Sequence, residues 1–154
     1  MTMRMYYSLG KFIHFVLRPL IIIAVNRTTR TRIIVRYNDE VLLMRNWLSS
    51  GEWSLPGGGL SGGEVATQGA ARELQEETGV HLDAQQLRLL YDGKIVYGGG
   101  FNFRTIVFET TLTKKPNIQR QKKEISEIAW LSLDEVRNLP KTNIVFKKAG
   151  YFKK

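Results

Sequence analysis

Residues 58–80 read GGLSGGEVATQGAARELQEETGV, and the reading of this stretch decides the fold. Gly58 is followed six residues on by Glu64, and the run Arg72-Glu73-Leu74-Gln75-Glu76-Glu77-Thr78-Gly79-Val80 closes the segment. On a helix, positions i, i+3 and i+4 are neighbours, so Glu73, Glu76 and Glu77 share one face. Three carboxylates crowded there repel one another unless a cation neutralises them. Mg²⁺ prefers such oxygen ligands and commonly sits between protein carboxylates and substrate phosphates. The residues therefore point to metal-assisted phosphate chemistry. An ordinary solvated acidic helix would not need the glycine turn upstream.

The same stretch resembles the Nudix box. Gly58, Glu64, Arg72, Glu73, Leu74, Glu76, Glu77, Gly79 and Val80 fill every defining position, and the approach Trp53-Ser54-Leu55-Pro56-Gly57 is similar to that of the family. The resemblance implies a Nudix-type α/β/α sandwich with a mixed central sheet over roughly residues 28–140. It also implies hydrolysis of a pyrophosphate linkage, in a nucleoside diphosphate derivative or a nucleoside triphosphate, with Mg²⁺ or else Mn²⁺. Glu73, Glu76 and Glu77 would hold the metal, with the Gly57 carbonyl as a further ligand. Glu64 would orient those ligands or Arg72. Arg72 either holds the loop and carboxylates in place or touches phosphate. A base or extra ligand from outside the box is expected between residues 122 and 130, where Glu124 and Glu127 are the candidates.

Substrate markers are weaker. Where many ADP-ribose-hydrolysing members carry a proline, this chain has Ile95 and Val96. Tyr97 stands 17 residues beyond Val80, near where diadenosine-polyphosphate members tend to carry a tyrosine. An aromatic face suits any base, which makes Tyr97 and Phe103 candidates beside Tyr91, Phe101 and Trp53. Arg45 and Arg104 are basic candidates for polyphosphate, along with Lys94. Alternation along a strand puts Asn102 and Arg104 opposite Phe101 and Phe103.

Length and composition agree with an enzyme of one domain. The chain has 154 residues, 43% of them hydrophobic and only four of them proline, enough to bury a core. It has no cysteine, which excludes disulfides, thiolate catalysis and cysteine zinc sites. A reducing, cytoplasmic setting is expected. Twenty-three basic residues against 14 acidic ones give a net charge of +9. That surplus favours anionic partners such as nucleotides, nucleic acid or an anionic membrane. Removal of pyrophosphate from an RNA 5′ end is an alternative reaction, although no RNA-binding module is visible. A nucleotide-binding regulator without turnover is another, which would not require the full glutamate set.

Residues 1–27 are read as an extension to a domain spanning 28–154. Met5, Leu9, Phe12, Ile13, Val16, Leu17 and Leu20 recur at helical spacing, with Arg4, Lys11, His14 and Arg18 opposite. The pattern predicts a basic amphipathic helix broken near Pro19, followed by the β-branched run Ile21–Val25. Packing on its own domain, formation of a homodimer, and peripheral membrane contact through residues 4–20 are the three roles open to it. Charges and Pro19 interrupt any clean spanning segment.

Strands are expected over residues 32–37, 41–45, 87–96, 101–112 and 128–131. A helix is expected from Glu64 to Thr78, ended by Gly79. Ser132 caps a short helix that Pro140 is expected to close.

Overall fold

The computed structural model describes residue 17, residues 19–47 and residues 51–152. Of the helix expected over residues 4–20, residues 4–16 and 18 lie outside the described residues. Five strands form one mixed sheet: β1 (Thr29–Tyr37), β2 (Glu40–Asn46), β3 (Arg88–Gly98), β4 (Phe101–Thr111) and β5 (Ile125–Ser132). Their order is β3-β4-β1-β2-β5, with β1 parallel to β4 and every other pair antiparallel. Beyond the N-terminal helical residues 19–26, the described residues include three helices, α1 (Ala66–Thr78), α2 (Leu133–Arg137) and α3 (Pro140–Lys148), and a short 3-10 turn at Ala84–Gln86.

Side-chain alternation explains the two cores. Successive strand residues face opposite ways, and the central strands are apolar at both parities. Ile33, Val35, Leu42, Ile106 and Phe108 meet Ala70 and Leu74 of α1. Their sequence neighbours Ile34, Val41, Leu43 and Val107 meet Val136 of α2 and Val145 and Phe146 of α3. Helices thus cover both faces, the arrangement expected when a strand has no face to spare for solvent.

β1 and β2 part company almost at once. Their antiparallel register holds only for Arg36–Val41 and Tyr37–Glu40, next to the Asn38 turn, whose φ is +52°. Residues 54–60 fill the widening gap. The amides of Thr31 and Ile33 donate to the carbonyls of Gly58 and Pro56, at 2.8 and 2.9 Å, and the Leu60 amide donates to Thr29 at 3.0 Å. On the other side, Met44 and Ser54 exchange both main-chain hydrogen bonds. The glycine-rich approach is therefore a wedge built into the sheet.

Three local expectations change. Helix α1 starts at Ala66, because Glu64 ends a turn with its amide on the Ser61 carbonyl and its carboxylate on the Ser61 amide. Leu17 and residues 19–26 are helical, so the run Ile21–Val25 lies beyond Pro19 in a helix. β-branched residues lose only a little in a helix, and packing overrides that preference. Pro140 opens α3 at its first turn instead of only closing α2. Proline suits that position because the amide it lacks would have no helical partner there. The C-terminal tail is anchored as well: the Tyr151 ring meets Phe146 edge-on, and its hydroxyl donates to buried Glu109.

Candidate active site

A cavity of about 640 Å³ opens on the α3 face of the sheet, beside the wedge. Glu73 and Glu77 reach it from α1, on the other face, past residues without side chains. A Cβ on Gly58 would lie 2.3 Å from the Glu73 carboxylate, and one on Gly57, whose φ is +126°, would lie 2.4 Å from the Thr31 carbonyl oxygen. Gly57 and Gly58 are thus required by close approach.

Glu77 is buried, and its carboxylate accepts a hydrogen bond from the Gly57 amide at 2.8 Å. Burial pushes its pKa up to about 8, with Glu73 and Glu124 adding to the rise while the Gly57 amide and Arg32 oppose it. Glu73 and Glu124 line the same cavity. Glu124 sits one residue before β5, with its amide on the Gln121 side chain at 2.7 Å. Glu127, the other candidate outside the box, points elsewhere and pairs with Arg45 at 3.1 Å.

Arg72 organises the loop rather than entering the cavity. It donates to both oxygens of Glu64, to Glu73 at 2.9 Å, to Glu76 at 3.2 Å and to the Gly59 carbonyl at 3.4 Å. These hydrogen bonds raise the guanidinium pKa and, with the Ser61 amide, hold Glu64 down to about 2. Glu76 is the most exposed of the three clustered glutamates and lies off the cavity wall.

The proposed substrate residues divide. Tyr97 and Phe103 line the cavity as a stacked pair with centroids 4.8 Å apart, and the Tyr97 hydroxyl meets that of Thr105 at 3.1 Å. Arg45 lies outside, its guanidinium 4.3 Å from the Trp53 ring centre, so it touches the cavity only through Trp53. Arg104 is held by Asp92 at 2.7 and 2.8 Å and borders a separate groove near Leu60 and Glu64. The alternation that turns Phe103 inward sends Arg104 to the opposite face.

Two cationic residues absent from the sequence-based candidates are present. Arg30 and Arg32 project from β1 into the cavity. Arg32 donates to the carbonyls of Gly57 and Thr31 at 2.7 and 2.8 Å. It therefore occupies one side of the Gly57 oxygen expected as a metal ligand. The Arg30 side chain makes no hydrogen bond among the described residues; burial and then Arg32 lower its pKa to about 10, against the opposing pull of Glu73 and Glu77. Alternation along Arg30-Thr31-Arg32-Ile33 was the signal available for this pair.

The donor set suits a hard divalent cation. Carboxylates of Glu73, Glu77 and Glu124 line one cavity, and burial disfavours ionisation of Glu77 unless a cation lies beside it. As they stand, no three acidic or histidine side chains among the described residues enclose an ion.

Comparison with known proteins agrees with the geometry. The chain is 30% identical over 106 residues to a MutT-like protein of Streptomyces ambofaciens, an alignment covering 68% of this chain and 62% of that one. The chain thus spans under two thirds of that relative's length. A MutT protein from Methanosarcina mazei Go1 superposes with a TM-score of 0.63 at 25% identity, over 77% of this chain and 88% of that one. The NUDIX domain of Shewanella oneidensis NrtR, solved with ADP ribose, gives a TM-score of 0.67 at 19% identity, over 80% and 86%. A family model described as the NUDIX domain matches residues 27–152. With the wedge, the box and the sheet order in place, this chain belongs to the Nudix hydrolase family.

Proposed function

We propose that this protein hydrolyses the pyrophosphate linkage of a nucleoside diphosphate derivative with the help of a divalent metal ion, Mg²⁺ or Mn²⁺. One observation carries the reading: a buried carboxylate, Glu77, and a half-buried guanidinium, Arg30, whose side chain makes no hydrogen bond among the described residues, share a cavity with the Tyr97–Phe103 stack. Acidic, cationic and aromatic walls match metal, phosphate and base in turn. The relative solved with ADP ribose is in keeping with such a ligand.

Glu73, Glu77 and Glu124 of the cavity, with Glu76 beside them outside its wall, would hold the metal. Bound there, a divalent cation neutralises phosphate charge and lowers the pKa of a coordinated water. Arg30 binds the phosphate chain, and Arg32 keeps the Gly57 carbonyl in register. Glu124, exposed and close enough to influence Glu77, would take a proton from water. Arg72 and Glu64 keep Glu73 and Glu76 aligned. Preorganised charge of this kind carries most of phosphoryl-transfer catalysis.

The experiment is product release from nucleoside triphosphates, ADP-ribose, nucleotide sugars, diadenosine polyphosphates and 5′-triphosphorylated RNA. Wild type and Glu77→Gln are compared with and without Mg²⁺ or Mn²⁺. Turnover that requires metal and collapses in the variant is expected. Nucleotide binding without turnover of any substrate would overturn the reading in favour of a binding protein.

A further inference from the structure

Part of the cavity that holds the Tyr97–Phe103 stack is lined by residues that precede the matched domain. Ile21 and Val25, one helical turn apart, line the cavity together with Phe101. Their helix is tied down at several points. The Thr28 amide and hydroxyl both donate to the Val25 carbonyl, at 3.0 and 2.8 Å, directly before β1 begins. Asn26 clamps the β3–β4 turn, donating to the Gly100 carbonyl at 2.9 Å and accepting from the Asn102 amide at 2.8 Å. Ile22 lies so close to Gly100 that a Cβ there would come within 3.1 Å of it. On the same helix, Leu20 and Ile23 point away and are 66% and 52% exposed. Sidedness, not general greasiness, puts Ile21 and Val25 at the cavity.

We infer that Ile21 and Val25 form an apolar contact surface for the planar, non-phosphate part of the nucleotide, which makes the segment before the Nudix domain a determinant of substrate specificity. This inference rests on the hydrolase reading above, because it divides the cavity between a phosphate end and a base end. Arg30, Glu73 and Glu77 define the first. Ile21, Val25, Phe101 and Phe103 define the second, opposite in chemical character. A base with one ring face on the aromatic stack and its edge against two branched aliphatic side chains would lose most of its contact with water. Removing methyl and methylene groups from that wall weakens the base contact and leaves the phosphates untouched.

The test measures Kd by calorimetry for two probes, ATP and inorganic tripolyphosphate, each with Mg²⁺. The proteins are the wild-type 154-residue chain, Ile21→Ala/Val25→Ala, the milder Val25→Ala alone, and Ile23→Ala as the outward-facing control. Thermal unfolding checks that each is folded, and Val25→Ala serves if the double variant is not. Expected for the double variant is a Kd for ATP about tenfold weaker, with tripolyphosphate binding and the Ile23→Ala control unchanged. Equal weakening of both probes would show a merely structural role and overturn the inference, as would no weakening of either. If wild type binds neither probe, the hydrolase reading falls and the inference falls with it. If wild type binds tripolyphosphate and ATP equally well, the hydrolase reading stands and the base contact does not.

Discussion

Arg72 holds Glu64 by two parallel hydrogen bonds, Nε to Oε1 at 2.9 Å and Nη2 to Oε2 at 3.1 Å. Its remaining Nη1 donor is then aimed at Glu73 and Glu76. A planar fork can do this and an ammonium cannot. Arg72→Lys should therefore keep the charge and lose the alignment. Turnover should drop about 10- to 100-fold, with nucleotide Kd little changed. Steady-state kinetics beside direct binding would check this, and a fall in affinity equal to the fall in turnover would place Arg72 on the phosphate instead.

Glu77 makes the metal-free protein sensitive to alkali. Its pKa stands at about 8 in the fold against 4.5 in a free chain, chiefly because burial disfavours the charge. Stability from its neutral form is fully present below 4.5 and is lost as pH rises through about 8. In a chelator, the melting temperature of wild type should fall over that window relative to Glu77→Gln, which stays neutral. Excess Mg²⁺ should restore wild type at alkaline pH and do little for the variant. Parallel pH curves for the two chelated proteins would sink the idea.

Gly58 is the most exacting small residue of the site. Adding one carbon would drive it into the Glu73 carboxylate. Gly58→Ala should cost about 100-fold in turnover through misplacement of that side chain. Its melting temperature should move far less than that of Gly57→Ala, where the intruding atom meets main chain and φ is positive. Comparing both properties for the two variants separates a catalytic from a conformational penalty.

Arg30→Met removes a half-buried cation while keeping most of its length. Its guanidinium makes no hydrogen bond among the described residues, so the fold should be little changed although Glu73 and Glu77 lose a nearby positive charge. KM for a polyphosphate substrate should rise about 10- to 100-fold, the worth of a charge-assisted hydrogen bond. An unchanged KM would deny Arg30 its contact with phosphate.

Far from the cavity, Tyr151 donates to the buried carboxylate of Glu109, and its own pKa is pushed up to about 12 by burial and that partner. Tyr151→Phe should lower stability by about 1–2 kcal/mol without altering kcat or KM. Denaturant titration and kinetics on one preparation would check both halves.

How much of this was legible in the chain depends on whether the cause is local. The α1 face and its stop at Gly79 follow from helix period and from one left-handed residue, with φ of +73°. Both are properties of a few neighbours. The two-sided burial of β1 can be read the same way, from Ile33-Ile34-Val35. Alternation shows Arg30 and Arg32 on one side of a strand but not that this side lines a cavity. On an isolated strand, alternate arginines resemble a solvent-facing stripe, and only the insertion of residues 54–60 turns that stripe into a wall. Arg104 misleads for the converse reason, since its proximity in sequence to Phe103 places it on the other face. The helical state of Ile21–Val25 depends on Asn26 and Gly100, 74 residues apart.

The wedge also sets the mechanics of the cavity. One jaw is stitched into the sheet by main-chain bonds on both its edges, so prising it open means unzipping the centre of the fold. The opposing jaw is secured chiefly by the side chain of Asn26 and by apolar contact. Substrates of different bulk should therefore be accommodated by give in the N-terminal helix and the β3–β4 turn, while the carboxylates stay still. In amide hydrogen exchange the Thr31 and Ile33 protons should outlast that of Asn102 by orders of magnitude, a stiff anvil set against a compliant clamp.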